Sequence, residues 1–150
     1  MGTRSRIAVM HGDNCKSVYC HWDGYLAYNG KILFEHYSDP FKLRDLIDLG
    51  DLSSLRPNIG VKHHFSQFDT DLSSEEYEKQ FGDMTTFYGR DRNESGTQAK
   101  FFKDFEDYKF NHQYEEYEYI LRKDGNWYVC QYANEYALLK DALETVKEEA

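Results

Sequence analysis

The 150-residue sequence has few of the features that would assign it to a membrane, secreted or metal-bound class. No apolar run approaches the roughly 18 residues that a membrane-spanning helix needs, and no signal-peptide core follows the first residues. The three cysteines cannot all pair, and their spacing fits neither a zinc knuckle nor a redox dithiol; they are Cys15, Cys20 and Cys130. We therefore expect a cytoplasmic protein with reduced thiols and no membrane partner.

Positive charge is scarce as well. The chain has 18 Lys and Arg against 27 Asp and Glu, which gives a formal net charge of −9. Proteins that bind duplex nucleic acid need basic faces, because their cations displace the counterions of the phosphate backbone. The sequence therefore predicts no duplex nucleic acid among the partners.

Signatures of the common enzyme classes are also missing. The chain has no Gly-rich phosphate loop, no Gly-x-Ser-x-Gly elbow and no His-Glu-x-x-His segment. His63 and His64 are adjacent, but neighbouring residues rarely face one ion, so no metal site is expected. His21 follows Cys20 on a predicted strand, where neighbours point to opposite faces, so no thiol nucleophile is expected either. The sequence favours a protein that is not an enzyme and predicts no cofactor.

The chain does contain enough apolar material for one packed core. Hydrophobic residues make up 40% of it and aromatic residues 17%. A length of 150 residues is typical of one domain and too short for two well-packed cores. We expect a single domain over residues 1–150.

Each end of the chain carries a hairpin pattern. Residues 4–10 read as a strand, 11–14 as a turn, and 17–22 as a second strand in which His21 and Trp22 point to opposite sides. Near the other end, apolar and polar residues alternate on both sides of the turn Asp124-Gly125. That alternation predicts strands on both sides of the turn.

Helical patterns fill much of the interval between and after the hairpins. Residues 23–37 fit either a helix or a hairpin around Asn29-Gly30, and the helix is favoured because apolar residues recur at helical spacing. Asp39 is the expected N-cap of the next helix, which Gly50 ends. The remaining predictions are a helix over Ser74–Phe81, a strand over Thr85–Gly89, a surface loop over 90–98, a helix over Ala99–Tyr108 and a terminal helix from about Asn134.

Hairpins at both ends with helices between and after them indicate the fold class. We predict an α+β fold, with an antiparallel or mixed sheet built from the N-terminal and C-terminal hairpins and helices packed mainly on one face.

Residues 114–119 form an unusual acidic and aromatic run. On a strand, Glu116 and Glu118 share one face while Tyr117 and Tyr119 share the other. Such an acidic strip could dock on a basic protein or imitate a phosphate backbone. The alternative is an exposed polar sheet face over an aromatic core.

The best candidate site combines arginines with aromatic residues. Guanidinium groups on a Gly-containing loop beside aromatic rings suit a planar anion such as a nucleotide. We expect residues 90–92 to fold back over residues 20–25, where Trp22 or Tyr25 offers a ring and Asp23 caps a helix and accepts an arginine. Alternatively, an Asp91 to arginine network only ties this loop to the body. The predicted ligand-binding residues are Arg4, His21, Trp22, Asp23, Tyr25, Arg90, Asp91 and Arg92.

Several segments resemble a family of small uncharacterised proteins of tailed phages and some bacteria, over nearly the whole chain. In that pattern a glycine often follows Arg-Asp-Arg, whereas Asn93 stands here. The segments are Met-Gly-Thr-Arg-Ser at the start, Tyr-Cys-His-Trp-Asp-Gly-Tyr at 19–25, Leu-Phe-Glu-His-Tyr at 33–37, Leu-Gly-Asp-Leu-Ser-Ser-Leu at 49–55 and Tyr-Gly-Arg-Asp-Arg at 88–92.

The resemblance implies a phage accessory protein that is made in the infected cell, modulates a host process or counters a defence system. Three hypotheses of function follow. The protein binds and inhibits a host or defence-system protein, it sequesters a nucleotide signal, or it is an enzyme acting on a nucleotide or phosphodiester with His21 or Asp23 as acid or base.

Overall fold

The computed structural model describes residues 3–111 and 115–149, with side chains as far as residue 146. Its strands are β1 (Ser5–His11), β2 (Asn14–Cys20), β3 (Leu52–Ser54), β4 (Thr86–Phe87), β5 (Lys100–Phe102), β6 (Tyr117–Leu121), β7 (Trp127–Gln131) and β8 (Tyr136–Leu138). Its α-helices are α1 (Lys31–His36), α2 (Pro40–Asp48), α3 (Ser74–Phe81), α4 (Tyr88–Arg92), α5 (Phe105–Asn111) and α6 (Leu139–Glu149). A π-helical turn, Leu26–Gly30, leads into α1, and a 3₁₀ turn, Gln67–Asp69, precedes α3.

The strands join in one open, mixed sheet. Within the described residues the order is β4-β3-β2-β1-β6-β7-β8, and β5 pairs with the first part of β2. β1 pairs with β2 as an antiparallel hairpin but runs parallel to β6, and β2 runs parallel to β3. The predicted α+β class with a mixed sheet built on the two terminal hairpins is therefore confirmed.

Alternation along β1 divides the core between two faces of the sheet. Ile7 and Val9 point to the first face, where they pack with residues of α1, α2 and α6. Ala8 and Met10 point to the second face, where they pack against Tyr108 of α5. Most of the helical core thus covers the first face, as predicted, and the second face is left partly open beyond α5.

Side-chain hydrogen bonds cap the first turns of α2 and α3. The Asp39 side chain accepts the backbone N–H of Phe41 at 3.0 Å, which confirms it as the N-cap of α2. Ser73 and Glu76 form a capping box at α3, since each side chain accepts a hydrogen bond from the other's backbone N–H. Within residues 23–37, the π-helical turn and α1 make residues 26–36 helical, as the apolar spacing predicted.

Three predictions of secondary structure are wrong in detail. Lys100–Phe102 is a strand on the edge of β2, so the predicted helix over Ala99–Tyr108 begins only at Phe105. The terminal helix begins at Leu139, after the edge strand β8. Helix α4 replaces the end of the predicted strand over Thr85–Gly89 and the start of the predicted loop over 90–98. A three-residue strand contains too few positions to show an alternating pattern, whereas its neighbours do show helical spacing.

The acidic run is not an exposed strip. Residue 114 lies outside the described residues, but Glu118 is only 3% exposed and its carboxylate accepts the Tyr136 hydroxyl at 3.0 Å. Glu115 is equally buried and accepts two hydrogen bonds from Arg6, at 3.1 Å from Nε and 3.0 Å from Nη2. Because Glu118 is buried, neither the predicted exposed strip of Glu116 and Glu118 nor its alternative, an exposed polar sheet face, is correct at this residue.

Candidate functional site

Asp91 is a buried junction at the start of α4. Its two oxygens accept from Arg90, at 3.0 Å from Nε and 3.2 Å from Nη2. The same carboxylate accepts the backbone N–H groups of His63 at 3.1 Å and of Phe87 at 2.8 Å. Because the Asp91 side chain is 0% exposed, this network ties the loop before α3 to β4 and α4 without contacting solvent.

The Arg90 guanidinium is used within the chain as well. It lies 4.6 Å from the centre of the Phe87 ring, and Nη1 and Nη2 also donate to backbone carbonyl oxygens. Those oxygens belong to Ile59, Gly60 and Thr85. With its donors directed at the protein itself, Arg90 has the structural role that was the alternative to anion binding.

His63 belongs to this structural cluster. Its Nδ1 donates to the Val61 carbonyl oxygen at 2.8 Å, and its Nε2 lies 3.2 Å from the Thr86 hydroxyl oxygen. The ring stacks on Phe81 at 5.4 Å, while His64 is exposed. No group of three His, Cys, Asp or Glu side chains that could hold a metal occurs in the part of the chain that the structure describes.

Arg92 stands two residues away in a different environment. Its guanidinium carbon lies 4.4 Å from the centre of the Phe65 ring and 5.1 Å from that of Tyr88. Glu94 accepts from its Nε at 2.7 Å, and the side chain remains 50% exposed. The predicted stacking of an arginine therefore occurs, but on Phe65 and Tyr88 rather than on Trp22 or Tyr25.

Asn93 ends α4 with a left-handed residue. Its φ of 58° and ψ of 29° are values that glycine and asparagine adopt at the smallest cost. Asn93 therefore ends this helix in the conformation that glycine most often provides at this position.

Tyr19, in the last part of β2, forms an aromatic cluster with His21 and Trp22, which follow the end of this strand. The Tyr19 hydroxyl lies 2.6 Å from Nδ1 of His21, and the rings of His21 and Trp22 meet edge to face at 4.6 Å. The predicted placement of His21 and Trp22 on opposite sides is wrong, because β2 ends at Cys20 and the alternation does not continue. Burial raises the pKa of the Cys20 thiol to about 11, so this thiol is not an activated nucleophile.

Asp23 and Tyr25 do not take the expected positions. Asp23 has a φ of 58°, and the residue that precedes the π-helical turn is Tyr25, whose side chain makes no capping hydrogen bond. The prediction that Asp23 caps this helix is therefore wrong. Tyr25 is 40% exposed, with its ring 6.2 Å from that of Tyr28.

Arg4 lies on the same side of the hairpin as Tyr19. Its backbone N–H donates to Glu116 at 3.0 Å, while the residue itself is exposed. Burial raises the pKa of Tyr19; the Arg4 charge acts against this effect, and Tyr88 adds to it. Arg4, Tyr19 and Tyr88 are therefore within electrostatic range of one another.

Strand β3 brings the two halves of the predicted site close together. Leu52 pairs with Cys20 on one side and with Phe87 on the other, and all three point to the first face. Tyr19, which precedes Cys20 in β2, therefore points to the second face, and Tyr88, the first residue of α4, lies within electrostatic range of it. We call the resulting surface the aromatic surface; it consists of Tyr19, His21, Trp22, Phe65, Tyr88 and Arg92.

The predicted site is thus only partly assembled. Within residues 3–111 and 115–146, no hydrogen bond, ion pair or ring contact joins residues 90–92 to residues 22–25. Arg92 lies over Tyr88, and Tyr19 is bonded to His21, while Tyr88 and Tyr19 interact electrostatically. Tyr19 and Tyr88 are not among the predicted site residues, although each lies two positions from one of them. Phe65 was not predicted either, because it lies in a long loop without periodicity.

Comparison with known proteins gives no further identification. No family model, no curated protein and no solved structure matches the chain. Among the described residues there is also no helix of the length and apolar character required to cross a membrane.

Proposed function

We propose that this protein is a binding protein that engages another protein through the aromatic surface. In this proposal it is a phage accessory protein that acts in the host cytoplasm and modulates a host factor, most simply a protein of a defence system. The observation that carries the proposal is the Arg92 guanidinium, which is held over Phe65 and Tyr88 while half of its side chain faces solvent.

The composition of the aromatic surface supports a protein partner. Tryptophan, tyrosine and arginine are the residues that most often dominate the energy of protein interfaces. Trp22 is 44% exposed and contacts His21, so it offers a large apolar side chain whose position is already fixed. Side chains that are ordered before binding lose less entropy when a partner arrives.

The same geometry argues against the two other functions at this site. Arg90 donates its N–H groups to other atoms of the protein, so Arg90 and Arg92 do not form a pair of guanidinium groups that could bind the phosphate of a nucleotide signal. The enzyme hypothesis gave His21 or Asp23 the role of acid or base, and the Nδ1 of His21 is already engaged within the chain, 2.6 Å from the Tyr19 hydroxyl.

Net charge indicates the kind of partner. The chain carries a net charge of −9, so long-range attraction favours a partner with a positive net charge. At short range, Arg92 and Arg4 would pair with carboxylates or carbonyl oxygens on that partner.

The test is an affinity capture from the host cell, followed by reconstitution with the purified partner. We expect Trp22→Ala and Arg92→Ala to weaken the reconstituted complex at least tenfold. Arg122→Ala is the matched control, because its guanidinium also lies over two rings, 4.2 Å from Phe105 and 5.5 Å from Tyr128, but outside the aromatic surface. A partner that binds all three variants like the wild type, or the absence of any partner that survives reconstitution, would contradict the proposal.

A further inference from the structure

A groove lies between helices α1 and α6, which pack on the first face of the sheet. Its volume is about 320 Å³, and none of its lining residues belongs to the aromatic surface. Leu33 of α1 and Leu139 of α6 are fully buried in the main core, so the core holds both helices in place. The groove is therefore a preformed feature of the surface, and it is separate from the proposed binding site.

The two helices present the same pattern of residues to this groove. Each has a lysine, then an apolar residue three positions later and a glutamate four positions later. Residues with this spacing lie on one side of a helix. The six residues, all of which line the groove, are Lys31, Phe34 and Glu35 in α1 and Lys140, Leu143 and Glu144 in α6. Each side of the groove therefore has one apolar side chain and two charges of opposite sign.

The apolar side chains of the groove are incompletely covered by the chain itself. Phe34 is 38% exposed, and Leu143 and Val146 are half-buried. Among the described residues, no other ring or cation contacts the ring of Phe34. Covering these side chains would remove apolar surface from water, which favours association.

The four charged side chains of the groove are unpaired. Within residues 3–111 and 115–146, Lys31, Glu35, Lys140 and Glu144 form no ion pair and no side-chain hydrogen bond. Their charges sum to zero, although the whole chain has a net charge of −9. A partner surface of one sign would be attracted by half of these groups and repelled by the other half. The groove therefore suits a surface that itself carries both signs at the same spacing.

We propose that the groove is the interface of a symmetric dimer with a second copy of this chain. In a two-fold arrangement each contact occurs twice, so a self-complementary surface is required. When α1 runs antiparallel to α1 of the second copy, Lys31 lies opposite Glu35 of that copy, and Glu35 lies opposite its Lys31. Lys140 and Glu144 have the spacing to pair with their counterparts in the same way. Phe34 of each copy then enters the groove of the other.

The net charge of each copy opposes this association at long range. Repulsion between exposed charges is screened beyond about 10 Å at about 0.1 M salt, whereas the opposite charges along the groove meet at short range. The dimer is therefore expected at physiological salt, and the apolar contacts of Phe34 contribute most of its stability.

The test is sedimentation equilibrium of the whole protein from about 1 to about 200 μM at physiological ionic strength. We expect a monomer–dimer equilibrium that Phe34→Ser weakens at least tenfold. Lys31→Glu sets two glutamates opposite each other at two places in the dimer and should also weaken it at least tenfold. The double variant Lys31→Glu with Glu35→Lys exchanges the two charges, so opposite signs face each other again and dimerisation should return to the wild-type level.

Each substitution has a matched control elsewhere on the surface. Lys79→Glu makes the same change of charge at an exposed lysine of α3, and Phe41→Ser removes a phenylalanine of α2 that is 71% exposed. Both should dimerise like the wild type. If Phe34→Ser does not fold, the charge exchange still decides the question.

Three results would overturn the proposal. They are a protein that stays monomeric at the highest concentration, a dimer that neither Phe34→Ser nor Lys31→Glu weakens, and a double variant that remains as weak as Lys31→Glu alone. The proposal does not depend on the aromatic surface. A failed partner capture therefore leaves it standing, and its failure does not affect the proposed function.

Discussion

Arg90 and Arg92 show how two arginines of one short helix acquire different roles. Arg90 donates to a fully buried carboxylate and to three carbonyl oxygens, and its side chain is 13% exposed. Arg92 rests on the outer rings of Phe65 and Tyr88. A buried charge that loses its partner is costly, whereas an exposed arginine paired with one glutamate contributes little to stability.

We predict that Arg90→Ala and Arg92→Ala separate stability from function. Arg90→Ala leaves the buried Asp91 carboxylate without its charged partner and should lower the free energy of unfolding by roughly 3–5 kcal/mol. Arg92→Ala should change it by less than about 1 kcal/mol and leave the melting temperature within a few degrees of wild type. Denaturant unfolding of the two variants measures this difference. Equal losses of stability would show that Arg92 is also a structural residue.

The sequence singled out residues 90–92, as part of a predicted surface loop, without revealing which arginine points inward. The Gly-Arg-Asp-Arg motif predicted an Asp91 to arginine network as one alternative, and that network exists. The burial of Asp91 depends on the backbone N–H of His63, which is 28 residues away in the chain. Such a long-range contact leaves no local pattern, so the sequence could not distinguish the buried arginine from the exposed one.

At the scale of elements, long patterns were predicted and short edge strands were missed. The terminal hairpins and α2 contain enough alternating or helically spaced residues to define their type. Strand β5 exists because Cys15 and Lys16 of β2 offer a free edge to Phe102 and Phe101. The pairing partner decides the conformation of three residues whose own sequence is equally compatible with a helix.

The end of helix α2 depends on one residue, Gly50. It has a φ of 92°, and a Cβ atom added there would collide with the carbonyl oxygen of Thr97. The next residue, Asp51, donates its backbone N–H to the same oxygen at 2.8 Å, so the end of α2 and the loop after α4 are held together closely. Both the backbone conformation and the available space therefore require glycine.

We predict that Gly50→Ala destabilises the protein by roughly 2 kcal/mol or more, since it combines backbone strain with a steric clash. Gly96→Ala is the matched control, because Gly96 also has a positive φ, 75°, but has no atom within 4 Å of an added Cβ. Thermal unfolding of both variants isolates the effect of the clash. If the two variants lose the same stability, the contact with Thr97 contributes nothing.

For the whole molecule, the order of the strands separates the aromatic surface from the cavity lined by Phe105, Arg122 and Tyr136. The aromatic surface lies on and around β2, β3 and β4, whereas this cavity lies beside β6, β7 and β8. Strand β1 stands between them and pairs with β2 on one side and with β6 on the other. Each site therefore has its own set of strands, and a substitution in one leaves the residues of the other in place.

The same order predicts which part of the sheet opens last. Strand β1 has partners along both edges, and Ile7 and Ala8 are fully buried on opposite faces. Strand β8 is a three-residue edge strand whose residues are all at least partly exposed. Amides in the centre of a sheet exchange only when much of the structure opens, while amides of a short edge strand exchange through local opening. Hydrogen exchange should therefore be slowest at Ile7, Ala8 and Val9 and fastest, among paired strand residues, in Tyr136–Leu138. Protection of β8 equal to that of β1 would mean that something other than the strand order limits the opening of this sheet.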